Sequence, residues 1–361
     1  MSIYIHIPFC SSICSYCDFC KIIYNKKYIN EYLDMLEKEI KDRYKGEEVH
    51  TIFIGGGTPT CLDYDELKKL LDITLLFKKS RNIEFTIESN VESITEDKLK
   101  LLRNYGVNRI SIGVQSFNND VLKVLGRSHR REDIFDKIRI VKKYFDNINI
   151  DLIYAAYNDI NILKDDLDCF LSLDITHLST YSLMIEDHTL LKINNFRNIN
   201  EDLDYEMYSL IEKTLNSKGY KHYEISNYAK LGYESIHNKN YWLNGEYYGF
   251  GLGAVSYLNN YRISNTKNIS KYLDNNYIDK NEYEDINTRK ENDLILGLRL
   301  IDGININDFN KKYNDDLLNK DIIKKLVNDG YLIVNNNNLK CNKDYIYLEN
   351  IILEKIMGSE L

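Results

Sequence analysis

Proline is almost missing from this chain, and so is any long apolar run. Only two prolines occur in 361 residues, beside 30 tyrosines and many Asn, Ile and Lys. That bias matches an AT-rich genome more than any function, so composition receives little weight. No apolar run is long enough to span a bilayer and no signal-peptide pattern precedes the first cysteines, which predicts a cytoplasmic protein. Basic charge is not in surplus either: 47 Lys and Arg against 55 Asp and Glu give a net charge of −8. A surface built to neutralise phosphates is therefore not expected, nor is general nucleic-acid binding. Repeats beyond a strand–helix unit and long low-complexity tails are also lacking. What remains is a chain long enough for one large unit and one or two smaller ones.

The seven cysteines are an odd number, and four of them crowd one loop. This favours a reducing compartment and ligand chemistry over disulfides. Cys10, Cys14 and Cys17 follow the apolar run 3–9 with the spacing Cys-x3-Cys-x2-Cys. Soft thiolates this close together select an iron–sulfur cluster or zinc. Three ligands leave one iron of a four-iron cluster open to a substrate or cofactor, whereas a structural zinc site closes with four. Cys20 supplies a fourth sulfur, but zinc ribbons pair Cys-x2-Cys hooks from two separate places, and here all four lie in one loop.

Strand-length apolar runs at 2–7, 49–54, 83–88, 108–113, 149–153 and 177–183 alternate with helical patterns at 28–44, 64–77, 95–105, 131–145 and 163–173. In the first helix Ile29, Leu33, Leu36 and Ile40 share a face. Such alternation predicts a parallel sheet with right-handed crossovers, and six units make an incomplete barrel. Reacting groups in such folds collect where strands end. After the second strand stands Gly55-Gly56-Gly57-Thr58-Pro59-Thr60. The third ends in Glu88-Ser89-Asn90, the fourth runs into Gly113-Val114-Gln115-Ser116-Phe117, and the fifth carries Asp151. Leu125-Gly126-Arg127-Ser128-His129 adds a guanidinium able to pair with a carboxylate.

The opening Pro8-Phe9-Cys10, with Cys14, Tyr16, Cys17, Asp18 and Phe19, resembles that of the radical S-adenosylmethionine (SAM) proteins, and within them the oxygen-independent coproporphyrinogen III oxidase-like branch. The resemblance implies an incomplete (β/α)6 barrel, a 4Fe-4S cluster on Cys10, Cys14 and Cys17, and bound SAM. By position, Tyr4 and Tyr16 would flank the nucleoside or the cluster, and Gly56, Gly57 and Thr58 would receive the methionine amino group. Glu88, Gln115, Arg127 and Asp151 would complete the SAM contacts, with Arg127 facing the carboxylate. Two stretches depart from the family pattern: Val91 stands where Pro is usual, and Ala155-Ala156-Tyr157 where Gly-Leu-Pro is usual. Both alter backbone freedom beside the pocket.

Beyond residue 185 the alternation fades into a long helix at 199–218 and a strand-like run at 221–226. His237-Asn238-Lys239-Asn240-Tyr241-Trp242 follows, holding the single Trp, and then the glycine-spaced run 247–254. A His beside aromatics is often a satisfied core residue, but imidazole is also a common haem ligand and flat rings suit a porphyrin face. His-Asn-x2-Tyr-Trp is similar to a motif tied to haem binding in the haem chaperones of this branch, which implies His237 as a haem ligand. Gly249, Gly251 and Gly253 have a competing reading as close backbone packing. A polar stretch at 259–292 reads as a surface connection. Helices near 294–301 and 322–327, with a hairpin of 331–334 and 339–341, suggest a small, mostly helical, winged-helix-like end. The expected units are thus 1–185, an accessory segment 186–288, and 289–361.

Two functions of different classes follow from the resemblance. One is a haem chaperone that binds a 4Fe-4S cluster, SAM and haem and passes haem to client haem proteins. The other is oxygen-independent coproporphyrinogen III oxidation; a radical SAM enzyme of another substrate stays open as well. The oxidases of the branch resemble Cys-x3-Cys-x2-Cys-x-Cys behind an N-terminal extension. Here Phe19 fills the fourth position and nine residues precede Cys10, which favours the non-catalytic chaperone. Cys20, a homodimer and a peripheral membrane contact are left unassigned.

Overall fold

The computed structural model describes residues 1–357 and Ser359. Twelve strands form one sheet: β1 (Ser2–Ile7), β2 (Val49–Gly56), β3 (Lys79–Asn90), β4 (Arg109–Gln115), β5 (Asn147–Tyr154), β6 (His177–Ser182), β7 (Lys221–Glu224), β8 (Asn227–Ala229), β9 (Tyr247–Phe250), β10 (Val255–Leu258), β11 (Tyr261–Asn265) and β12 (Ile278–Tyr283). Their order is β12-β11-β10-β9-β1-β2-β3-β4-β5-β6-β8-β7. The first six are parallel and lie in sequence order, as the strand–helix alternation predicts. The two end strands do not pair with each other, so the sheet stays open.

Alternation within β1 sets the layers. Ile3, Ile5 and Ile7 are fully buried on one side among the core residues of the crossover helices, while Tyr4 and His6 turn to the other side. The helix Lys26–Arg43 buries Ile29, Leu33, Leu36 and Ile40 as its spacing requires, together with Tyr32 and Glu39. Its start is capped by the Asn25 side chain, and the helix Tyr64–Ile73 begins with a reciprocal Asp63–Glu66 capping box.

The stretch after residue 245 adds to the sheet instead of leaving it. β9 pairs parallel with β1, making a seventh parallel strand, and β10, β11 and β12 follow antiparallel. The expected surface connection at 259–292 therefore holds two strands of the sheet, 261–265 and 278–283, with helical turns between and after them. All six residues of β12 are exposed, so an edge strand with no buried face showed no alternation to read. The glycine run does pack closely: a Cβ on Gly249 would overlap the Val255 carbonyl, and one on Gly251 would meet the His6 carbonyl at 2.5 Å. Glu39 pins this extension to the first helix. Its carboxylate accepts from Gly251 N (2.9 Å), Tyr272 OH (2.7 Å) and Asn265 Nδ2 (2.7 Å), and Arg43 neutralises it (2.5 Å).

The last unit has its own apolar core, from Leu294 and Leu298 to Leu353 and Ile356. Its elements run helix Ile286–Leu298, strand Ile304–Asn305, helices Ile306–Tyr313 and Asp321–Asn328, then the hairpin Leu332–Asn335 and Asn338–Cys341. That is the order of a winged helix, followed by one more helix, Glu349–Ile356. Asn336 and Asn337, both at positive φ (48° and 63°), make the tight hairpin turn. Arg299 joins this unit to the rest: its backbone carbonyl accepts from Ile225 N (3.1 Å), and its guanidinium lies 3.7 Å from Glu349 and 5.8 Å from the Trp242 ring centre.

Candidate functional site

The cysteine loop closes over the ends of the parallel strands. Ser15 N donates to Leu125 O (3.1 Å) and Ser15 Oγ to Val124 O (2.5 Å), tying the loop to the segment behind β4. Gly126, at φ +72°, lets that segment approach: a Cβ there would sit 3.1 Å from Ser15 N. Between loop and sheet lies an open cavity. Cys10, Cys14, Cys17, Tyr16, Gly56, Gly57, Thr58, Glu88, Gln115, Arg127 and Asp151 all line it.

Two of the expected residues do not. Tyr4 stands away from the cavity, with its hydroxyl 2.9 Å from His6 Nδ1. His6 Nε2 lies 2.8 Å from Cys20 O, which can only accept, so Nε2 carries the proton and Nδ1 accepts from Tyr4. The oriented imidazole fills the space above Gly56, which is at φ +110° and whose Cβ would collide with the ring. Tyr4 and His6 thus support the glycine turn and the cysteine loop together. His6 escaped the sequence reading, although it lies two positions from Tyr4 on the same strand face.

His237 is the second. It begins the helix Ile236–Trp242 and is 1% exposed. Its Nδ1 bonds Thr51 Oγ1 (2.8 Å), its Nε2 bonds Tyr241 OH (2.9 Å), and its ring packs 5.2 Å from that of Phe53. Burial, with the Arg109 charge nearby, pushes its pKa down to about 3, so the imidazole is neutral. Thr51 lies near the start of β2 and Gly56 at its end, which puts His237 at the opposite end of the strands from the cysteine loop.

Inside the cavity the polar groups are linked. Arg127 Nη1 donates to Cys14 Sγ (3.2 Å), and its Nη2 donates to Asn90 Oδ1 (2.8 Å) and Gly113 O (2.6 Å). Asn90 Nδ2 continues to Thr58 Oγ1 (2.8 Å), and Thr58 Oγ1 donates to Cys10 Sγ (3.8 Å). Arg127 Nε is buried with no partner, an unused donor that fits a ligand carboxylate. The N–H groups of Gly56, Gly57 and Thr58 are all spent inside the protein, on Glu88, Ile7 O and Phe9 O.

Burial raises the Glu88 carboxyl to about 7, helped by the neighbouring Asp151, and burial raises Asp151 as well. Burial also pushes the Cys10 thiol up to about 11 and Cys17 upward. Thiols so placed become thiolates when a metal cation draws the charge out. Among the described residues no three His, Cys, Asp or Glu side chains converge as ligands of a single ion. A cysteine trio on one cavity wall suits a cluster that offers each sulfur a different iron better than it suits zinc. Cys20 does not line the cavity; its Sγ would lie 3.2 Å from a Cβ on Gly253.

Sequential parallel strands whose ends converge beneath a Cys-x3-Cys-x2-Cys loop define a protein of the radical SAM class. The Radical SAM superfamily model matches residues 4–161, and that class brings with it a 4Fe-4S cluster and SAM. The chain is 37% identical to the heme chaperone HemW of Lactococcus lactis subsp. lactis (strain IL1403), covering 100% of this chain and 98% of that protein. It is 36% identical to the heme chaperone HemW of Bacillus subtilis (strain 168), covering 92% of each. The chain belongs to the HemW family. Its fold matches that of Escherichia coli coproporphyrinogen III oxidase (HemN), described as a radical SAM enzyme, with a TM-score of 0.87 over 99% of this chain and 90% of the other, at 22% identity.

Proposed function

We propose that the protein is a haem chaperone that holds a 4Fe-4S cluster on Cys10, Cys14 and Cys17, binds SAM in the adjoining cavity, and binds haem for delivery to client haem proteins. The observation that carries the cofactor part is the single cavity that unites the three cysteines with the glycine turn, Glu88, Arg127 and Asp151. When bound, such a cluster supplies an open iron site for SAM and an electron-transfer centre. The chain's own residues do the rest. Arg127 offers its unpartnered Nε to a carboxylate, the turn at Gly56 to Thr58 lines the place of the amino group, and Asp151 and Glu88 add carboxyl oxygens to the same cavity. Tyr16 forms part of the wall.

The chaperone reading, in preference to coproporphyrinogen oxidation, is supported by the HemW relatives, by Phe19 at the fourth cysteine position and by the His-Asn-x2-Tyr-Trp motif. Both nitrogens of His237 are occupied, by Thr51 and Tyr241. Ligation of haem by His237 therefore requires the helix Ile236–Trp242 to move off the sheet. The test is an anaerobic haem titration of the cluster-reconstituted protein, followed in the Soret band. Saturation near one haem per chain is expected. Absence of saturable binding, together with coproporphyrinogen decarboxylation on addition of SAM, would overturn the chaperone in favour of the oxidase.

A further inference from the structure

We propose that a one-way chain of hydrogen bonds from Ser235 to Asp151 ties the helix Ile236–Trp242 to the cysteine-loop cavity, so that a cation entering beside Asp151 fastens the helix and its departure frees it. The proposal rests on the reading of that cavity as the SAM site.

Four contacts make the chain. Ser235 N donates to Tyr223 OH (3.2 Å), Tyr223 OH lies 2.8 Å from His177 Nε2, His177 Nδ1 lies 2.6 Å from Asn149 Oδ1, and Asn149 Nδ2 donates to Asp151 Oδ1 (2.8 Å). None of the four residues from Ser235 to Asn149 is more than 4% exposed, so water does not interrupt them. Their direction follows from which atoms can give a proton. An ionised Asp151 can only accept, so Asn149 presents its NH2 to it and its carbonyl oxygen to His177. That oxygen also only accepts, so His177 Nδ1 is the donor. Burial holds His177 well below its ordinary pKa, so the ring is neutral and Nε2 accepts from Tyr223. Tyr223 then has its oxygen lone pairs turned to Ser235 N–H. Every bond donates towards Asp151, and in such a chain each bond polarises the next.

Ser235 is the N-cap of the helix that carries His237 and Trp242, and its Oγ accepts from Asn238 N (3.2 Å). The helix start has three holds. Glu84 accepts from Ile236 N (2.8 Å) and His237 N (2.9 Å), Thr51 holds His237, and Tyr223 holds Ser235. Only the third continues to a residue that lines the cavity. Burial raises the pKa of Asp151, which weakens it as an acceptor when no cation faces it. SAM carries a sulfonium and an ammonium group. The sulfonium beside Asp151 favours the carboxylate, strengthens the chain and tightens the cap, and His237 is then withheld. Because two sites share one equilibrium, helix release and SAM release favour each other.

The experiment uses the full-length, cluster-reconstituted protein under anaerobic conditions, without haem. Amide hydrogen exchange of residues 235–242 is measured with no ligand, with SAM and with S-adenosylhomocysteine, which lacks the sulfonium charge. Calorimetry records binding in each case, and emission of Trp242, the single tryptophan, gives a second readout. SAM should slow exchange in 235–242 by about fivefold or more, the lower end of ordinary coupling, and S-adenosylhomocysteine by clearly less. Tyr223→Phe removes one hydroxyl and no cavity contact; it should bind SAM and show less than about a twofold slowing. His177→Leu breaks the same chain one link away and serves if Tyr223→Phe does not fold. Binding of SAM with no slowing in the natural protein, or slowing in the variant equal to that in the natural protein, overturns the chain. Absence of SAM binding overturns the reading of the cavity, and this proposal with it.

Discussion

At the scale of single residues, the departures from the family pattern have a conformational cost that can be measured. Ala155 stands at φ +65°, in the left-handed region where an L side chain is disfavoured, at the position where the family usually has glycine. The expected strain is about 1 kcal/mol, part of which glycine's greater freedom in the unfolded chain takes back. Ala155→Gly should therefore raise stability by roughly 0.5 kcal/mol, read from the midpoint of denaturant unfolding with an unchanged slope. Val91, by contrast, costs little. It opens the short turn Val91–Ser93 and is fully buried, so an apolar side chain at the first position of a turn replaces proline there.

At the scale of elements, the cysteine loop separates two kinds of thiol that the sequence alone left together. Cys14 shares the cavity with Cys10 and Cys17 and accepts from Arg127, while Cys20 packs towards Gly253. Cys14→Ala should lose most of its iron and sulfide after reconstitution, and Cys20→Ala should keep the full complement, as measured by metal analysis and visible absorption. Iron lost equally from both would contradict the assignment. The strand ends were legible for the same reason that the site works: polar groups such as Glu88, Gln115 and Asp151 stand out where apolar runs stop, and the fold brings these exits together. Other parts gave no signal. Strand β12 has no buried face, and β9 read as a glycine-spaced packing run because its contacts are with β1, more than 240 positions earlier. The polar chain through Asn149, His177, Tyr223 and Ser235 spans four elements or loops, and its residues look like ordinary strand or cap residues until the sheet is assembled.

For the whole molecule, the joint between the last unit and the sheet carries a titration that should set the pH response. Glu349 is 1% exposed, both of its oxygens lack hydrogen-bond partners, and burial raises its carboxyl to about 8 despite Arg299. Burial raises Glu224 beside it to about 7. The folded state keeps these protons where the unfolded chain has released them, so stability is greatest below the ordinary carboxyl range, near pH 4.5, and falls as pH rises through 8. The limiting slope is about 1.4 kcal/mol per pH unit for one such proton. Glu349→Gln should flatten the fall between pH 5 and 8 and unfold at a higher denaturant concentration than the natural protein at pH 8. A parallel pH dependence in both would remove Glu349 from this role.

The open edge of the sheet has a further consequence for life in a crowded solution. β12 presents one row of backbone donors and acceptors to any passing strand, yet it alternates Asp279, Lys280, Asn281 and Glu282 with no apolar pair between them. A visiting strand would bury charge to gain backbone bonds, a poor exchange. The polar bias that hid this strand from sequence reading is thus what discourages the protein from polymerising edge to edge.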